Sequence, residues 1–220
     1  MRILLISSSP HKEKSSTFLL AQEVLKGLPQ GKASVDIIHL ADCDIGFCTH
    51  CEVCHKKILS CSIKDSVAVI LKKMLEADGI ILASPNYINQ VTGSMKTLFD
   101  RSAHFIHCKR LLGKYIAGVV SSGSGYNKEV LDYIKFYGHT CGAQYSAGVS
   151  SKRELQSQTI EEAVKLGKRL SEDIAAKKEY PEQLATIERG RQQFKEVIQA
   201  RKDEWLQEHQ YWLDKGWLSR

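Results

Sequence analysis

Arg2-Ile3-Leu4-Leu5-Ile6-Ser7 runs directly into Ser8-Ser9-Pro10-His11-Lys12-Glu13-Lys14-Ser15-Ser16-Thr17. The apolar residues of the first segment do not alternate with polar ones, the pattern of a strand buried on both faces, as in a parallel sheet. The polar stretch after it reads as a loop. Phe18, Ala21, Leu25 and Leu28 then recur at a helical period, which Pro29 closes. A buried strand, a loop and a helix open a β-α-β unit, and that reading decides the fold class.

The pattern repeats outward from there. Strands are expected at Ala33–Leu40, Gly79–Ala83, Tyr115–Val120 and Gln144–Val149. Helices are expected at Thr17–Leu28, from a cap at Asp65 to Ala77, at Gly93–His107 and at Lys128–Gly138. Residues 41–62 read as an irregular, cysteine-rich insert. Strands that alternate with helices argue an α/β doubly wound parallel sheet with helices on both faces. Five strands with single crossovers fit the flavodoxin-like order 2-1-3-4-5, which opens a ligand crevice at the carboxyl ends of strands one, three and four.

A chain of 220 residues is one domain with room for an appendage. Its 43% hydrophobic and 25% charged content exclude collagen, wholesale disorder and a multi-span membrane protein. The early apolar run Ile3–Ile6 is too short for a signal-peptide core or a membrane span, so a cytoplasmic location without membrane attachment is expected. Reducing conditions there leave seven cysteines needing a reason other than disulfides. The net charge of +6 is concentrated before residue 150, where 17 basic residues face 12 acidic ones, against 14 and 13 afterwards. That suits an acidic protein partner, but it is too weak, without a basic stripe and interleaved aromatics, to argue nucleic-acid binding. The composition shift divides the chain into a domain over 1–178, with its cysteine-rich loop at 43–62, and a helical extension over 179–220. Trp205, Trp212 and Trp217 make the extension too aromatic to be left in water, so it is expected to serve oligomerisation, as a homodimer or homotetramer, with packing on its own domain as the alternative.

Cys48, Cys51, Cys54 and Cys61 fall within 14 residues of one loop. Two-residue gaps let three thiolates converge, and the longer gap lets the fourth return, an arrangement of soft ligands that suits a 4Fe–4S cluster. Zinc or a thiol redox site is the alternative. His50 and His55 read as solvated loop residues, and His104 and His107 as surface residues of a helix. Cys43, Cys108 and Cys141 read as small buried or edge residues. The loop after strand one lacks Gly-x-Gly-x-x-Gly and the nucleotide-hydrolase Gly-Lys-Ser/Thr, which disfavours a dinucleotide site and an ATPase. It offers hydroxyls, a histidine and a helix N-terminus, enough to hold a phosphate monoester. Ser84-Pro85-Asn86-Tyr87-Ile88-Asn89 after strand three and Ser121-Ser122-Gly123-Ser124-Gly125-Tyr126 after strand four each add backbone amides and a tyrosine. That combination suits a flat aromatic ring with polar edges. No Gly-x-Ser-x-Gly elbow supports hydrolase chemistry.

Together the three loops resemble the flavin mononucleotide site of the NADPH-dependent FMN reductase branch of flavodoxin-like proteins, with His11 where that family carries Arg. The segment Gly93-Ser94-Met95-Lys96…Phe99-Asp100-Arg101 is similar to the family's following helix. The cysteine spacing, placed between strand two and helix two, resembles the iron–sulfur flavoproteins within it, and the likeness covers residues 1–150. The resemblance implies FMN held by Ser9, His11, Ser15, Ser16, Thr17, Ser84, Pro85, Asn86, Tyr87, Ile88, Ser122, Gly123, Gly125 and Tyr126. It also implies a 4Fe–4S cluster on Cys48, Cys51, Cys54 and Cys61, with no side chain required as a catalyst. On this reading electrons pass from a ferredoxin-like carrier through the cluster to FMN and on to a small acceptor. The alternatives are an NAD(P)H-dependent FMN or quinone reductase without a cluster, and a redox-responsive binding protein with a zinc or thiol loop.

Overall fold

The computed structural model describes residues 1–152 and 155–218. Five parallel strands, β1 (Arg2–Ser7), β2 (Ser34–His39), β3 (Gly79–Pro85), β4 (Tyr115–Ser122) and β5 (Gln144–Lys152), lie in the order 2-1-3-4-5. Side chains of β1 alternate between the two faces of the sheet. Ile3 and Leu5 pack with Phe18, Leu20 and Val24 of α1 (Ser16–Lys26) and with Leu166 and Leu170 of α7 (Ser157–Ala176). Leu4 and Ile6 point the other way, into a core with Ile70 and Met74 of α3 (Val67–Glu76), Leu98 of α4 (Gly93–Asp100) and Ile134 of α6 (Asn127–Cys141). The absence of polar alternation in β1 is thus explained by two apolar layers. Where α1 ends against α7, a Cβ on Gly27 or Gly167 would meet backbone oxygen at 2.0 Å or 1.9 Å, so only glycine allows that approach.

Three elements differ from the sequence expectation. The stretch 93–107 is two helices, α4 and α5 (Ala103–His107). Between them Ser102 turns its hydroxyl onto Phe99 O, and the Arg101 side chain leaves for Asp65. The cysteine-rich insert contains a short helix, α2 (Val53–Lys56). Asp65 does accept from Val67 N, but its carboxylate also receives Gly46 N and Arg101, so it closes the insert as well as opening α3. The chain finishes with α8 (Pro181–Ala200) and α9 (Leu206–Asp214). Ile198, Trp205, Trp212 and Leu218 form a third, small core with Cys108 of the body, so the aromatic tail turns inward onto its own chain. Among the described residues, no helix is long and apolar enough to cross a membrane.

Candidate functional site

The carboxyl ends of β1, β3 and β4 open onto one crevice of about 440 Å³. Its walls include Ser9, His11, Ser15, Ser16 and Thr17 from the first loop, Pro85, Asn86 and Tyr87 from the second, and Ser122 and Gly123 from the third. Ser15 caps α1 by accepting from Phe18 N at 3.0 Å. Ser15, Ser16 and Thr17 bring the N-terminal end of α1, whose first amides lack carbonyl partners within the helix, to the crevice, where an anion is favoured. Ser16 and Thr17 hydroxyls meet Ser121 Oγ at 3.1 and 2.6 Å, which ties the first loop to the third. Asn86 Nδ2 donates to Gly125 O and Tyr126 O, which ties the second loop to the third. Gly125 sits at φ +99°, backbone that suits glycine, and its N–H and C=O both bond Ser122 Oγ.

Four residues expected in this site do not line it. Ser84 is buried with its hydroxyl on Pro85 O and Thr92 N, so it shapes the loop from beneath. Ile88 is 100% exposed at the tip of a tight hairpin in which Tyr87 and Gln90 exchange backbone hydrogen bonds. Gly125 and Tyr126 are not among the lining residues, and Tyr126 is exposed. Two lining residues, Lys14 and Ser121, were not expected. Lys14 adds a cation to the crevice wall, whereas Lys12 of the same loop pairs with Asp42 and does not line it.

A second cavity, of about 300 Å³, lies under the cysteine insert. All four of Cys48, Cys51, Cys54 and Cys61 line it, with Arg101, His104, His107, Arg201 and Trp205. Cys43, Cys108 and Cys141 lie outside it, the last two buried. Arg101 staples the insert shut. Its guanidinium donates to Gly46 O at 2.7 Å, to both Asp65 oxygens at 2.7 and 3.0 Å, and to Cys61 Sγ at 3.3 Å. Burial alone would raise the Asp65 carboxyl, but Arg101 and the Gly46 and Val67 amides outweigh it, and the pKa is lowered. Cys51 Sγ lies 3.0 Å from Ser62 Oγ, and that hydrogen bond is the main cause that lowers its thiol to about 7. Phe47, just before Cys48, is 81% exposed.

The histidines correct the sequence reading. His55 is not a solvated loop residue. It is buried, stacked on Trp205 at 4.4 Å and on His107 at 4.9 Å. His55 Nδ1 donates to Glu208 Oε1 at 2.7 Å, and His107 Nδ1 donates to Oε2 at 2.9 Å. Glu208 is 0% exposed. Burial opposes charge on both His55 and Glu208. Hydrogen bonds to Cys54 and Glu208 nevertheless raise His55 to about 10, and the two imidazoles lower Glu208. His104 is not a surface residue either: it is 1% exposed, neither ring nitrogen has a partner, and burial lowers its pKa to about 3. His50 remains exposed, as expected.

The profile of the NADPH-dependent FMN reductase family matches residues 1–152. The chain is similar to an iron-sulfur flavoprotein of Methanocaldococcus jannaschii, 39% identical over 127 residues, 58% of this chain and 64% of that protein. That match spans less than two thirds of the relative's length. Similarity to an iron-sulfur flavoprotein of Archaeoglobus fulgidus runs further, 27% identical over 232 residues, 99% of this chain and 100% of that protein. Among solved structures, the apo form of an NADH:FMN oxidoreductase superimposes with a TM-score of 0.59 at 22% identity, over 83% of this chain and 92% of that one, a likeness of fold.

Proposed function

The chain belongs to the NADPH-dependent FMN reductase family, and on that premise we propose a flavin-dependent oxidoreductase. Its crevice holds FMN, and its cysteine cavity holds a 4Fe–4S cluster. The observation that carries the first part is the crevice itself, in which a hydroxyl-rich loop and the N-terminus of α1 face two loops rich in backbone amides. Ser9, His11, Lys14, Ser15, Ser16 and Thr17 would hold the phosphate, and Pro85, Asn86, Tyr87, Ser122 and Gly123 the ring. Ser84, Ile88, Gly125 and Tyr126 would act through loop shape. When bound, FMN supplies hydride and single-electron transfer, and a cluster supplies one-electron transfer.

The cysteine cavity fits a cluster by its donor set: Cys48, Cys51, Cys54 and Cys61 on one cavity, and Arg101 on Cys61 Sγ to offset anionic charge. Lys56, Lys57 and Lys64 are exposed around it, which suits an acidic, ferredoxin-like carrier as electron donor and leaves a small molecule as acceptor. The reading places the chain in the cytoplasm as a homodimer or homotetramer. Light scattering tests the assembly, and a monomer mass removes that part. Chromatography of the released cofactor tests the flavin: FMN is expected, and FAD, or no flavin after reconstitution, overturns the crevice assignment. A second reading, NAD(P)H as donor with no cluster, draws on the family's own description as NADPH-dependent. Iron and sulfide content separates the two.

A further inference from the structure

The segment from Cys48 to Cys61 has little of its own to hold it. It contains one short helix, and His50, Glu52 and Leu59 take left-handed backbone at φ 52°, 58° and 62°. Non-glycine residues adopt that conformation at a cost, so the segment needs support from elsewhere. Arg101 holds its Cys61 end, and the rest of the support comes from residues 201–208, beyond the 1–152 of the family match.

Arg201 forks onto Glu52, with Nη1 on Oε1 at 2.9 Å and Nη2 on Oε2 at 2.6 Å. Trp205 Nε1 donates to the same carboxylate at 3.3 Å, and its ring stacks on His55. Gln207 Oε1 accepts from Ile58 N at 2.8 Å, and Glu208 accepts from His55. The three anchored positions, Glu52, His55 and Ile58, lie in the gaps between cysteines and leave the thiols to the cavity. A tail that only needed burial would be served by the apolar contacts of Trp212, Leu218 and Ile198. A carboxylate that is 0% exposed and held by two imidazoles is instead costly unless all its partners stay in place, which couples the tail to the loop.

We propose that residues 201–208 are a clasp that orders the cysteine loop, with Glu208 and Arg201 as its positioning residues, and that the clasp sets how firmly the loop keeps its metal group. The retention half rests on the cluster proposed above; the ordering half does not. The test uses the full-length protein in the metal-free state, with hydrogen exchange read on the amides of residues 50–60. Glu208→Ala and, as a milder change that leaves the buried trio intact, Arg201→Gln should each speed exchange there about tenfold or more. Glu208→Gln should restore part of the protection, because its amide can accept from His55 and donate to His107. After anaerobic reconstitution, iron loss to a chelator should quicken in the same order while the flavin spectrum stays unchanged. Unaltered exchange over 50–60 in both Glu208→Ala and Arg201→Gln would overturn the clasp. Parent protein that takes up no iron and sulfide would instead remove the cluster, and the exchange data would still decide the clasp.

Discussion

The crevice and the cysteine cavity are built in opposite ways. The crevice is made of turns that directly follow β1, β3 and β4, and the sheet order alone brings them together. Its side-chain hydrogen bonds join one loop to the next and make small adjustments. The cavity has no such frame. Its walls come from the insert, from one side of α3, from the corner between α4 and α5, and from the tail, and they are held by charged pairs between residues far apart in the chain, Arg101–Asp65, Arg201–Glu52 and Glu208–His55. The difference teaches where each site is vulnerable. Single polar substitutions should grade the crevice and break the cavity.

The largest expected effect is on the cavity. Arg101→Ala leaves Asp65 buried without its partner, and both side chains are 2% exposed. Removing one member of such a pair costs about 3–5 kcal/mol. Denaturant unfolding should register that loss, and a change within 1 kcal/mol would dissolve the contrast. Acid should act next, also through the cavity wall. His104 has its pKa lowered to about 3 by burial, below its ordinary value of 6.5. Its neutral form therefore stabilises the fold above the ordinary value, and that stability drains away as pH falls from there toward 3. Near pH 5 the loss is about 2 kcal/mol. His104→Phe should flatten the stability–pH slope between pH 7 and 5; an unchanged slope would mean another group sets it.

The crevice should respond more gently. Ser16→Ala with Thr17→Ala removes hydroxyls that face the proposed phosphate and tie to Ser121, and should weaken FMN binding about tenfold, roughly 1.4 kcal/mol. Fluorescence titration reads this, and an equal affinity would place the phosphate elsewhere. Ser15→Ala removes the cap of α1 and should cost about 1 kcal/mol of stability while leaving the cysteine loop's exchange untouched. A loop that loosens with it would show the two sites to be one unit.

The same contrast explains what could be read from the sequence. β1 and its loop carry their meaning locally, so the fold and most of the crevice followed from buried strands and turn residues. Lys14 was missed although it lies in that loop, because facing the crevice is a matter of loop shape. Ser121 was read in the loop after strand four but not as a site residue: β4 runs on to Ser122, and the place of the Ser121 hydroxyl is set by Ser16 and Thr17, far away in the chain. In the cavity the cysteine spacing was legible, since it is local. The rest was not: His55 meets Glu208 across 153 residues, and nothing near either marks the pair. The aromatic density of the tail was the one hint, and it was read as oligomerisation, whereas Trp205 and Trp212 are buried against their own chain. His104 looked like a surface residue because no acidic or third ligand stands near it in the sequence and 93–107 reads as one helix; its burial comes with the separate helix α5.

The central claim is that one chain carries FMN and a cluster in these two differently built sites. Iron, sulfide and flavin measured together on anaerobically prepared protein test it most directly. The account predicts one FMN and about four iron and four sulfide per chain, with Cys48→Ala losing the iron and sulfide and keeping the FMN. FMN accompanied by a single zinc, or by no metal at all, would contradict it.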